Sequence, residues 1–207
     1  MSRSVKAFTL VELMVGLMVT SIILSAVATL AFALSSASTA GGDYACTQAQ
    51  IRHATVRLLD LVGRCHLICA APADDLVLWR ADDNADRRIN INEVVYIETG
   101  ANHEYLRLCE FTSADNPEVT LAALALPATK AQFVASYSER YTPLIPECSS
   151  VQFAYDLDPP ATTLLAVTFD LEEDRASHRY QIVATARCRA GHLLDAAGTA
   201  IVESDDD

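Results

Sequence analysis

From Leu13 to Leu34 the chain carries no charged residue, and a single acid, Glu12, stands directly in front of that run. At about 1.5 Å per helical residue, such a stretch crosses a bilayer hydrocarbon core of roughly 30 Å. A helix that is apolar all round over this length is predicted to span a membrane. An acid at its edge costs on the order of a few kcal/mol unless it finds a partner, so Glu12 is a functional residue by default. An ordinary secretory signal differs: its apolar core is about 7–15 residues long and precedes a small-residue cut site. Here the run is longer, Glu12 lies ahead of it, and the nearest such site is Ser38-Thr39-Ala40.

Charge gives the orientation. Arg3 and Lys6 precede the span and no basic residue follows it until Arg52. The positive-inside bias therefore leaves the N-terminus in the cytoplasm and sends the remainder across.

The residues Lys6-Ala7-Phe8-Thr9-Leu10-Val11-Glu12-Leu13 resemble the N-terminus of type IV pilin-like proteins, in which a short basic leader precedes an apolar helix with Glu as the fifth mature residue. The resemblance implies that a prepilin peptidase cuts between Ala7 and Phe8 and that the new amine of Phe8 is N-methylated. It further implies assembly with other pilin or pseudopilin subunits, where Glu12 of one copy meets the Phe8 amine of a neighbour and two charges leave lipid together. Ala7 departs from the family pattern, which usually has Gly there. The implied location is the bacterial inner membrane, single-pass, with the globular part periplasmic or in an extracellular filament.

Composition fits an exported protein. Fifteen Lys and Arg stand against 27 Asp and Glu, for a formal net charge of −12. Removal of the leader would also remove Arg3 and Lys6, leaving the remainder more acidic still. No nucleic-acid partner is expected, since phosphate binding needs a basic face. Six cysteines, Cys46, Cys65, Cys69, Cys109, Cys148 and Cys188, all follow the span. In an oxidising compartment an even count predicts disulfides, with about 15 pairings left open for six cysteines.

Beyond the span, the small residues from Ser35 to Gly42 end in Gly41-Gly42, which is expected to loosen or break the helix. An amphipathic helix then resumes. Ile51, Thr55, Leu58, Val62, Cys65 and Cys69 recur at steps of four and three with Leu59 beside them, and Pro72 closes the region. Cys65 and Cys69 on one helical face would each reach a sheet cysteine rather than one another. Their spacing around His66 lacks the second cluster that a zinc site needs.

The rest reads as strands: Leu76 to Trp79, Val94 to Glu98 and Tyr105 to Glu110, then Val151 to Asp156, Leu164 to Leu171 and His178 to Arg187. In the last of these Tyr180, Ile182, Ala184 and Ala186 alternate, predicting one buried face. Between the two sets, Leu121 to Tyr141 reads as a short helix interrupted by Pro127, and Thr142 to Glu147, with Pro143 and Pro146, as loop. A long N-terminal helix followed by consecutive strands predicts an α+β fold, the helix packed on an antiparallel sheet. The terminal meander resembles that of larger minor pilins and J-type pseudopilins. The expected organisation is a leader at 1–7, a membrane-spanning and polymerising helix at 8–34, a small-residue linker at 35–45, a globular domain at 46–191 and an acidic tail at 192–207.

A second motif runs from Asp82 to Glu93. It fits the calcium loop D-x-[DN]-x-[DN]-G-x5-E at Asp82, Asn84, Asp86 and Glu93, and has Arg87 where Gly supplies the sharp turn. The carbonyl of Arg88 would be the next oxygen ligand, and Ile89 would face inward. Strand-like flanks make this a calcium-type loop in a hairpin rather than a helix-loop-helix hand; the competing expectation is a polar hairpin tip. Trp79, beside this loop, is expected to be a half-buried strand residue. No catalytic constellation is present in the sequence: the five histidines are scattered and no phosphate-cradling glycine loop occurs. The function this predicts is a minor pilin or pseudopilin subunit rather than an enzyme. The alternative is a non-polymerising, single-pass, extracytoplasmic calcium-binding protein.

Overall fold

In a computed structural model the described residues are 9–173, 176–187, 193–195 and 201–202, with the side chains of 36–44 and 173 excepted. Ala7, Phe8, Cys188 and most of the acidic tail lie outside them. The chain divides into two compact units, Met1–Gln48 and Ala49–Asp207. Helix α1, Leu10–Arg64, is helical throughout, including the backbone of Gly41-Gly42. The break expected there does not occur. Two glycines cost about 1 kcal/mol each in a helix interior, a local penalty that long flanking helical runs can absorb.

In the first unit every large apolar residue of Leu10–Ser35 is exposed, and the segment has a mean hydropathy of 2.3. Its few hydroxyls are turned inward on the backbone. Thr20 Oγ1 donates to the carbonyls of Gly16 and Leu17, Ser21 Oγ to Met18, Ser25 Oγ to Ile22 and Thr29 Oγ1 to Ser25. A helix that meets lipid needs this internal satisfaction, because hydrocarbon offers no hydrogen bonds.

The second unit is antiparallel throughout. Strands β1 (Leu67–Ala70), β2 (Leu76–Trp79), β3 (Val94–Thr99), β4 (Leu106–Thr112) and β5 (Ser138–Ile145) form one sheet in sequence order. β6 (Ser150–Tyr155), β7 (Leu164–Glu173) and β8 (Ala176–Thr185) form a second, three-stranded meander. With α1, this is the expected α+β architecture. Between β4 and β5 lie two short helices, α2 (Leu121–Leu124) and α3 (Pro127–Ser136).

In the first sheet β1, β2 and β3 are buried on both faces, which explains why β2 and β3 read as nearly unbroken apolar runs. On one face Leu76, Leu78, Val95, Ile97 and Leu108 pack with Ala54, Leu58 and Val62 of α1 and with Cys65 just after it. Val151, Val167, Phe169 and Ile182 of the second sheet join the same core. On the other face Val77, Trp79, Tyr96, Cys109 and Phe111 meet Leu124 of α2, Phe133 of α3 and Ile89 and Ile91 of the preceding loop. Leu58 is 1% exposed; burying a leucine contributes about 1.5–3 kcal/mol.

Four expectations are corrected here. α1 ends at Arg64, so Cys69 lies on β1 rather than on the helical face; the amide of His66 donates to Trp79 O and starts the strand ladder instead. Leu59 is 43% exposed, and Ala54 takes the buried position. Pro127 begins α3 at its first turn, where its missing N–H is not needed. Pro143 lies inside β5, the edge strand of its sheet, opposite Arg107 and beside a register shift at Leu106/Arg107. An edge strand at a bulge tolerates the lost donor.

Candidate functional site

The N-terminus of α1 carries a reciprocal cap. Glu12 Oε2 accepts from the backbone N–H of Thr9 at 3.0 Å and from its hydroxyl at 3.0 Å, while the Glu12 N–H donates to Thr9 Oγ1 at 3.3 Å. With Leu10 as the first helical residue, Thr9-x-x-Glu12 is a capping box, worth on the order of 1 kcal/mol to the first turn. The signal is present in the sequence: Thr followed three residues later by Glu at the head of an apolar run is the signature of a helix start. Glu12 thus has a local role: its carboxylate sits at the positive end of the helix dipole and saturates an amide that lipid could not. Because one of its oxygens holds both Thr9 donors, Oε1 takes no part in the cap.

Among the described residues the cysteines do not assemble into a second site. Among the described residues Cys69, Cys109 and Cys148 carry thiols; Cys188, the sixth member of the expected set, lies outside the described residues. Geometry gives the reason. Cys65 and Cys69 lie in the two cores on opposite faces of the first sheet. Cys69 and Cys109 share a face but sit on β1 and β4 with two strands between, about 14 Å at the usual interstrand spacing. A disulfide needs α-carbons within about 7 Å. Burial pushes the Cys109 thiol up to about 12 and the Cys148 thiol up to about 11.

In the acidic loop, Asp82 Oδ1 accepts from the Asp86 N–H at 3.1 Å and Oδ2 from the Arg87 N–H at 3.0 Å. Asn84 Oδ1 also accepts from Asp86 N–H, and Asp86 Oδ1 from the Arg88 N–H at 2.7 Å. The Asn90 amide, which donates to Asp86 Oδ2 at 3.0 Å, and the Arg88 N–H hold the Asp86 carboxyl below its usual range. Arg87 has φ 59° and Ala85 φ 58°, so the turn that glycine ordinarily supplies is made by two L-residues at about 1–2 kcal/mol each. Ile89 faces inward at 2% exposure, as the motif requires.

Glu93 is fully buried and already engaged. Its Oε1 accepts from the Asp83 N–H at 2.9 Å; its Oε2 accepts from Trp79 Nε1 at 3.1 Å and from the Asn90 N–H at 3.3 Å. Trp79 is itself buried at 1%, deeper than the half-burial expected. Arg88 reaches out of the loop to Glu118 at 2.9 Å. Asp82, Asn84, Asp86, the Arg88 carbonyl and Glu93 are the oxygens that could hold a hard cation. Among the described residues, no three His, Cys, Asp or Glu side chains are gathered closely enough to do so.

What the geometry isolates, then, is an apolar, exposed helix closed at its start by a carboxylate. The prokaryotic N-terminal methylation motif matches residues 2–28, the segment that contains Ala7, Phe8 and Glu12. That match supports the type IV pilin-like family and is confined to the N-terminal segment. No curated protein and no solved structure matches the chain.

Proposed function

We propose that this protein is a minor pilin or pseudopilin, cut by a prepilin peptidase between Ala7 and Phe8, methylated at Phe8, and built into a type IV pilus or type II secretion-type filament. The observation that carries the proposal is the methylation motif at residues 2–28 running directly into the exposed apolar helix of Leu10–Ser35. On this reading Leu10–Ser35 crosses the inner membrane once with the N-terminus cytoplasmic, and the second unit is periplasmic or displayed on the filament. Glu12 then serves twice: one oxygen caps its own helix and the other receives the Phe8 amine of a neighbouring subunit. N-terminal sequencing of the membrane-extracted protein tests this. A chain beginning at N-methylated Phe8 is expected; an intact leader in cells that possess the peptidase would overturn it.

A second reading, an extracytoplasmic calcium-binding domain on a non-polymerising anchor, is favoured by one observation: Arg87 makes the left-handed turn without glycine. Titrating calcium into the wild type and Asp82→Ala decides it. A rise in melting temperature confined to the wild type supports calcium, and no response in either leaves a polar hairpin tip.

A further inference from the structure

Across the face of the first sheet that α3 covers, three strands place charged residues in one row. The pairing of Leu76 with Ile97 sets Asp75, just before β2, opposite Glu98 of β3, and Glu98 pairs with Arg107 of β4. Lys130 of α3 comes down onto this row. Its Nζ contacts Asp75 Oδ2 and lies 2.8 Å from Glu98 Oε1, while Arg107 Nε holds the other Glu98 oxygen at 2.6 Å. Glu98 is 1% exposed, and the side chains of Asp75 and Lys130 are only 17% and 23% exposed. Tyr96, fully buried two residues before Glu98 on the same face, has a hydroxyl without a hydrogen-bond partner, and Lys130 Nζ lies 5.8 Å from its ring centroid.

An amine held against a carboxyl, with a second buried carboxylate touching the amine, has the parts needed for amide condensation. We propose that Lys130 and Asp75 become joined by an intramolecular amide bond, with Glu98 as the catalytic residue. Glu98 takes a proton from the Lys130 ammonium, freeing the amine lone pair. Asp75 reacts as its neutral acid, a form that desolvation favours, since burial raises its pKa. Nζ attacks Asp75 Cγ and the C–N bond forms. The C–O bond then breaks: the hydroxyl leaves as water with the proton that Glu98 returns, and the nitrogen's second proton passes to the freed Glu98 carboxylate. Ammonium plus neutral acid plus the Glu98 carboxylate gives amide, one water and protonated Glu98, with no electron transferred and no co-reactant needed.

Three features direct the chain to this product rather than to a plain ion pair. Arg107 occupies one oxygen of Glu98 and leaves Oε1 facing the amine. The pair is shielded from most of the water that would otherwise hold both charges, and taking two charges out of water is costly. Apposition also supplies what a condensation in dilute solution lacks, a high effective concentration of amine at the carbonyl. The bond would fasten the start of β2 to α3, elements 55 residues apart in the chain.

The test is peptide mapping of the full-length protein purified from membranes, denatured and digested before mass spectrometry. The expected result is a branched peptide that joins the Asp75 and Lys130 segments and is lighter than their sum by one water. Recovery of the two segments as separate linear peptides at full yield would overturn the proposal. Glu98→Gln keeps the side-chain volume but cannot relay the proton; it should fold, by circular dichroism, and lose the branched peptide. Lys130→Arg keeps the charge but should form no amide, and its melting temperature should fall below that of the wild type. A branched peptide that persists in Glu98→Gln would remove Glu98 from the chemistry, and one that persists in Lys130→Arg would assign the branch to another site.

Discussion

Leu10–Ser35 and the second unit solve the same problem, apolar side chains in water, in opposite ways. In Ala49–Asp207 most large apolar residues are covered by other parts of the same unit: two cores lie on the two faces of one sheet, one faced by Ala54, Leu58 and Val62 of α1 and by the second sheet, the other by α2 and α3. In Leu10–Ser35 none is covered, although the hydroxyls of Thr20, Ser21, Ser25 and Thr29 are bonded to the helix's own carbonyls. The difference teaches that one region is complete as a fold, whereas the other is complete only as a helix and obtains its apolar contacts from its surroundings. Stability of the second unit should therefore respond to packing, and behaviour of the first to charge.

The comparison is broken most sharply at Glu12. Glu12→Ala should leave the protein inserted in the membrane but abolish its entry into filaments, scored by shearing and immunoblotting. Thr9→Ala removes the cap alone, costs about 1 kcal/mol of local helix stability, and should leave assembly largely intact. If both variants fail equally, capping rather than intersubunit pairing explains the acid. The complementary change is Leu58→Ala, which should cost the second unit about 2–5 kcal/mol in urea unfolding while membrane insertion is unchanged.

The smallest effect concerns pH. Arg179 and Ser150 bind the Asp170 carboxyl and lower it to about 2, in the three-stranded sheet. A depressed folded-state value means that this contribution is fully present above the unfolded carboxyl range near 4 and is lost as pH falls through about 2. Acid melts should show a modest loss over that window, and Asp170→Asn should flatten it. An unchanged acid profile in Asp170→Asn would show that the carboxylate contributes nothing there.

Much of the second unit was legible because burial on one or both faces writes itself into periodicity. Leu76 to Trp79 was read with its exact limits, and Tyr180, Ile182 and Ala184 line the buried side of β8 as their alternation required. β1 was missed because Leu67–Ala70 extends the step-of-three-or-four pattern of α1; only pairing with β2 turns it into a strand, and pairing is a long-range fact. β5 was obscured by Pro143, whose tolerance depends on edge position. At the candidate site, the motif around Phe8 and Glu12 could be read directly, whereas the Asp75, Glu98 and Lys130 row could not. Its members come from three elements, and no local spacing announces them.

The hydroxyls of Thr20, Ser21, Ser25 and Thr29, spent on their own carbonyls, have a consequence for any molecule lying alongside this helix. A companion there finds nothing to grip except contour and dispersion, forces that change little when two rods slide or rotate past each other. Glu12, the sole ionisable side chain between Leu10 and Ser35, is then the one notch that sets how far along the axis a companion comes to rest.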